Sequence, residues 1–93
     1  MTGETEKIMA LDPLADKWQA FRWSVREVDG HCFEELVPAL QAAFGEADGR
    51  PKVIIANTVK GKGVSFMENK AAWHFKIPDA EQCDAALAEI RGA

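Results

Sequence analysis

"VIIANTVKGKG", Val53 to Gly63, decides how the chain is read. Its first seven residues, Val53–Val59, are nearly all apolar or β-branched, the composition of a strand covered on both faces, as in a parallel sheet. Two lysines and two glycines follow at once. In open α/β sheets ligands sit beyond the carboxyl ends of the strands, so this turn falls where a ligand is expected. Gly61 and Gly63 permit unusual dihedrals and close backbone approach, with N–H donors exposed, while Lys60 and Lys62 add positive charge. The combination suits an anion, a phosphate or diphosphate. The spacing is neither a P-loop nor a dinucleotide fingerprint. A solvated turn kept soluble by its lysines accounts for the same residues.

Upstream, Asp12-Pro13 has the form of a helix start, with Asp12 as N-cap and Pro13 at the first helical position. Leu14, Lys17, Trp18 and Phe21 then recur at spacings of three and four, predicting a helix that ends near Arg22. "WSVREVDG" alternates and closes on Asp29-Gly30, predicting a strand and a turn. From Cys32 to Phe44 the apolar residues Phe33, Leu36, Val37, Leu40, Ala43 and Phe44 follow a helical period, with a kink expected at Pro38. Downstream, a helix is predicted over Asp79–Arg91, capped by Asp79, with Cys83, Ala86, Leu87 and Ile90 as its buried stripe. Residues 1–12 are polar and unpatterned and read as a surface arm.

Strands alternating with helices imply parallel pairing through right-handed crossovers. Two strands are too few for an independent parallel sheet. The pattern therefore describes an α/β chain, part of a doubly wound sheet with flanking helices.

Ninety-three residues make one domain at most. Fifteen acids against eleven bases give a net charge of -4, which argues against a nucleic-acid-binding surface. Cys32 and Cys83 form no paired motif, so a zinc site or disulfide scaffold is not expected; two reduced thiols suit a cytoplasmic protein. No apolar run approaches the roughly 18–20 residues that span a bilayer, and no membrane partner is expected.

Among single residues, His74 lies between Trp73 and Phe75. That setting fits a half-buried imidazole with a backbone hydrogen bond, and its titration range is what recommends it for proton transfer. His31 reads as a loop or helix-entry residue, and Trp18 and Trp23 as core. Glu34, Glu35, Glu81 and Glu89 read as exposed helix faces. His31, Cys32, His74 and Cys83 have no recognised metal-ligand spacing.

Taken together, "PLADKWQAFRWSVREVDGH" (Pro13–His31), "GRPKVIIANTVKGKGVSFMEN" (Gly49–Asn69) and "AWHFKIPD" (Ala72–Asp79) resemble transketolase. The nearest likeness is to the thiamine-diphosphate-binding half that some bacteria encode as a separate N-terminal subunit. It extends from about Thr5 to Arg91. The resemblance implies that residues 1–93 are the distal part of a thiamine-diphosphate-binding domain. It places Lys60 near the cofactor's diphosphate. His74 matches the histidine of the family's Trp-His-Gly-Lys pattern, bordering both diphosphate and sugar donor and assisting proton movements there. Lys76 matches that pattern's lysine, near the substrate channel, and Phe75 stands where the pattern has glycine.

The family's Gly-Asp-Gly motif and downstream asparagine, which hold the magnesium ion that anchors the diphosphate, are expected upstream of the matched region and outside this chain. Met1 falls at an internal position of the family, as a truncated gene or an internally assigned start would give. The pyrimidine-binding domain and its activating glutamate are expected on a partner, the C-terminal subunit. The implied reaction moves a two-carbon ketol unit from a ketose phosphate to an aldose phosphate. The isolated chain is expected to be inactive. Two other readings of the residues stand beside this one: a non-enzymatic remnant that docks on a partner chain, and a small anion-binding module built on the glycine turn alone.

Overall fold

A computed structural model describes residues 3–46 and 48–92. The elements run α1 (Thr5–Ile8), α2 (Leu14–Ala20), β1 (Ser24–Asp29), α3 (Phe33–Gly45), β2 (Lys52–Asn57), a 3-10 turn (Ala71–His74) and α4 (Ala80–Gly92). They fall into two compact units. One spans Leu11–Thr58; the other joins the residues before it to those from Val59 onward.

The first unit is a parallel strand pair with two helices. β1 and β2 align from Ser24 opposite Lys52 to Asp29 opposite Asn57. The ladder is prolonged by the Gly30 amide donating to the Asn57 carbonyl at 2.7 Å. The Asn57 side-chain amide donates across the pair to Glu27 Oε1 at 3.1 Å. The parallel arrangement follows the strand–helix–strand order predicted from the sequence, because α3 supplies the crossover that such a pair requires. β2 is shorter than predicted. It stops at Asn57, and Ala56 and Asn57 are exposed while Val53–Ile55 are half-buried. Among the described residues no position of that strand is fully buried, so its apolar run reports a setting the two-stranded sheet does not complete.

α2 begins at Leu14 with Pro13, not Asp12, at its N-cap, and it ends at Ala20. Arg22 then takes a left-handed φ of 67°, which closes the helix before the residue predicted to end it. Trp18 and Trp23 bring their rings to 4.6 Å at a 59° tilt. They are half-buried rather than core, and Phe21 is exposed.

α3 runs unbroken through Pro38. Proline removes the amide that would bond to Glu34, and both residues are exposed, so water can serve the orphaned carbonyl. Ala39 is the buried position of this helix. The larger side chains Phe33, Val37, Leu40 and Phe44 are exposed, Phe33 at 81% and Phe44 at 88%. Their spacing of four, three and four residues puts them on one stripe. After α3, Lys52 pairs with Asp48 and lies 3.7 Å from Glu46, which also pairs with Arg26 of β1.

In the second unit α4 starts through a reciprocal cap. The Gln82 amide donates to Asp79 Oδ1 at 2.8 Å, and the Asp79 amide donates to Gln82 Oε1 at 3.1 Å. This agrees with the predicted capping role of Asp79. The predicted buried stripe is a different matter: Cys83, Leu87 and Ile90 are exposed and Ala86 is half-buried. The face that the periodicity singles out is real but uncovered here. Cys32 and Cys83 are free thiols. Among the described residues no helix is long and apolar enough to cross a membrane.

Candidate functional site

The glycine turn is a closed loop held by its own backbone. The Lys62 amide donates to the Val59 carbonyl at 3.1 Å, that of Val64 to Gly61 at 3.1 Å, and that of Asn69 to Lys60 at 2.8 Å. Gly61 has φ of +74°, and a Cβ there would lie 2.6 Å from the Met67 carbonyl oxygen. Glycine is required at this position so that the loop can close on itself. Gly63, at φ +95°, has open space where a Cβ would project. At the centre of the turn Val64 is buried, 6% exposed.

The N–H donors expected to meet a ligand are therefore largely spent. The Gly63 amide goes to Glu68 Oε1 at 3.1 Å. The Ser65 amide donates to Glu89 Oε2 at 3.0 Å, while the Ser65 hydroxyl donates to Glu89 Oε1. Both oxygens of one carboxylate thus tie the turn to α4. Glu89 is a half-buried clamp and not the exposed helix-face acid that its sequence setting predicted. Glu68 lies in the stretch that carries the family resemblance and Glu89 does not; for neither acid does the sequence signal its bonding partner.

Positive charge remains available. Lys60 is half-buried and Lys62 exposed, and among the described residues no carboxylate is ion-paired with either. His74 closes the 3-10 turn and is exposed, with its ring edge-on to Phe75 at 4.5 Å and 82°. Phe75, 88% exposed, thus packs against the imidazole without burying it. Lys76 places its Nζ 4.5 Å from the centroid of Trp73, a cation–π contact. Trp73 in turn meets Phe66 at 5.6 Å. Beside these rings opens a cleft of about 510 Å³ that Lys76 lines and that neither Lys60 nor His74 borders.

The comparison with known proteins decides what this set of residues belongs to. Residues 1–89 match the family described as transketolase, thiamine diphosphate binding domain. The chain belongs to this family. It is 47% identical, over 95% of its length, to a 6-deoxy-6-sulfo-D-fructose transketolase subunit of a Clostridium species, covering 32% of that protein. An apulose-4-phosphate transketolase subunit of Actinobacillus succinogenes is 38% identical over 98% of the chain, again with 32% of the relative covered. The rat transketolase is 39% identical over 86% of the chain, which covers 12% of that protein. The chain thus spans about a third of the transketolase subunits it matches.

The transketolase family binds thiamine diphosphate, and the turn meets part of what a diphosphate needs. Lys60 and Lys62 carry charge free of carboxylate ion pairs among the described residues, and the open side of Gly63 allows close approach. The metal is another matter. Among the described residues no three acids, cysteines or histidines converge to hold a cation, so magnesium has no cage among them.

Proposed function

We propose that this chain forms the distal part of the thiamine-diphosphate-binding half of a two-subunit transketolase, which moves a two-carbon ketol unit between sugar phosphates. The observation that carries the reading is the family match across residues 1–89. Two relatives are named as transketolase subunits; this supports a partner, here the C-terminal subunit bearing the pyrimidine-binding domain. When bound, thiamine diphosphate supplies the electron sink for breaking and remaking the carbon–carbon bond.

Each proposed site residue has one task. Lys60 contributes charge to the diphosphate. A dianionic or trianionic tail is attracted by an ammonium that no carboxylate neutralises, and charge-assisted contacts of this type contribute about 1.5–3 kcal/mol each. His74 holds or moves a proton at its imidazole, whose two ring nitrogens can each act as donor or acceptor. Its exposure leaves the ring nitrogens accessible to a substrate hydroxyl. Lys76 faces the sugar phosphate.

Ketol transfer from a ketose phosphate to an aldose phosphate tests the reading, measured on the chain joined to the upstream, metal-binding part of a transketolase N-terminal subunit and assembled with the C-terminal partner. Transfer is expected only in the mixture, and His74→Ala is expected to lower its rate by about 10²–10⁴. A mixture whose rate is unchanged by His74→Ala would overturn the catalytic assignment.

A second reading, a non-catalytic chain that docks on a partner, draws on the exposed stripe of α3. An assembly that forms stably yet transfers no ketol unit would select it.

A further inference from the structure

The glycine turn already holds two carboxylates at its own donors, and it holds them differently. Glu89 accepts from both the amide and the hydroxyl of Ser65, one on each oxygen. Glu68 accepts a single bond, from the Gly63 amide to Oε1 at 3.1 Å. Two bonds fix Glu89 as a clamp on α4, whereas one bond can be broken by a turn of the Glu68 side chain alone. The main chain need not follow. Glu68 is anchored by its own amide on the Val64 carbonyl at 3.1 Å, and the loop stays closed through Asn69 on Lys60 at 2.8 Å and Val64 on Gly61 at 3.1 Å.

The partner that Glu68 takes is informative. It shares a turn with Lys60 and Lys62, yet among the described residues it is ion-paired with neither. Its carboxylate sits instead on the amide of an exposed glycine, Gly63, at which an added Cβ would meet nothing within 4 Å. A backbone N–H bonded to a carboxylate makes the same charge-assisted bond that a phosphate oxygen would accept there. The carboxylate and an external oxyanion therefore compete for one donor, while the lysine charge of the turn is left for the external one. A diphosphate carries several charges against the carboxylate's one, so attraction to lysine favours it in that exchange.

We propose that Glu68 is an internal competitor for the diphosphate: it occupies the Gly63 amide until a phosphate oxygen displaces it, and so sets the turn's affinity for oxyanions. The inference rests on the proposed role of the turn in holding the cofactor's diphosphate, and it adds a residue that opposes binding. No covalent bond changes; the Gly63 N–H exchanges one acceptor oxygen for another. Before a ligand arrives, the same bond keeps that donor aimed at an anion, so the turn does not have to reorganise to receive one.

The test is an NMR titration of the 93-residue chain, isotope-labelled at its seven glycines, with inorganic diphosphate. The Gly63 amide is assigned by its loss in Gly63→Ala. Diphosphate is expected to shift that signal saturably. Glu68→Gln, which keeps an acceptor oxygen without the charge, is expected to bind diphosphate about fivefold more tightly. Asp84→Asn, which removes a charge from an exposed position of α4, is expected to leave the affinity near that of the unaltered chain. A gain in Glu68→Gln no greater than in Asp84→Asn would overturn the proposal, since net charge alone would then account for it. So would unchanged or weaker binding by Glu68→Gln, or a Gly63 signal that diphosphate leaves unmoved in both proteins. The titration needs neither partner nor sugar, so it can fail while ketol transfer stands, and an assembly that transfers nothing would leave the competition at Gly63 intact.

Discussion

The Gly63 amide donates to the carboxylate of Glu68, 3.1 Å away, so the cationic glycine turn carries an anion of its own. That bond joins the ends of a loop whose other closure is the Asn69 amide on the Lys60 carbonyl. A half-exposed bond of this kind contributes about 1 kcal/mol. Glu68→Ala is therefore expected to speed hydrogen exchange at Gly63 by about fivefold. Glu68→Gln, which keeps an acceptor oxygen, should retain most of the protection. Equal exchange in all three proteins would show that the bond does not order the turn.

The two glycines of the turn should respond differently to a methyl group. Both carry positive φ, which costs a residue other than glycine about 1–2 kcal/mol. At Gly61 the new Cβ would also meet the Met67 carbonyl at 2.6 Å, whereas at Gly63 it would enter open space. Gly61→Ala is expected to lower the urea midpoint clearly more than Gly63→Ala. If the diphosphate approaches the open side of Gly63, Gly63→Ala should weaken thiamine diphosphate binding in the assembled enzyme beyond its small effect on stability.

α4 depends on the reciprocal bonds between Asp79 and Gln82. Asp79→Ala removes one acceptor from the helix start and is expected to cost about 1 kcal/mol, while Asp79→Asn costs only a few tenths. Far-ultraviolet circular dichroism during urea unfolding measures the difference. Indistinguishable transitions would show that α4 is held by something other than its cap.

Asp48 gives a pH dependence with a definite sign. The hydrogen bond from Lys52, followed by that from the Arg50 amide, holds its carboxyl below the ordinary value of 3.8. A carboxylate depressed in the folded state adds stability that is present above its unfolded value and lost as the pH falls through the folded one. The contribution should therefore be intact at neutral pH and disappear below about pH 4. Carboxyl-carbon NMR should show Asp48 titrating lower than in Lys52→Ala. The same midpoint in both proteins would remove Lys52 as the cause.

Much of the secondary structure was legible because it is local. Asp79 stands directly before an apolar helical period, and that was enough to locate the start of α4; the reciprocal bond from Gln82 came from the structure. β1 and β2 were legible from alternation and β-branching, and α3 from a period that persists through Pro38. Burial was less legible. A stripe such as Cys83, Ala86, Leu87 and Ile90 says that a face calls for cover, and it is silent on whether these 93 residues supply it.

The turn's interior was illegible for a related reason. Glu68 reaches five residues back to Gly63, and Glu89 reaches 24 residues back to Ser65. Neither distance is a local period, so both acids look like solvated surface until the chain is folded. The glycines were correctly singled out, yet one of them serves closure of the loop, which its sequence neighbours do not reveal.

Phe33, Val37, Leu40 and Phe44 have a bearing on how the polypeptide can be handled. Four large greasy side chains in a row on one helix make molecules adhere to one another as their concentration rises. Solubility, more than chemistry, then sets how much of the chain can be kept in solution by itself. A hydrophobic dye should light up on it, and co-expression with whatever shields that row should raise the yield.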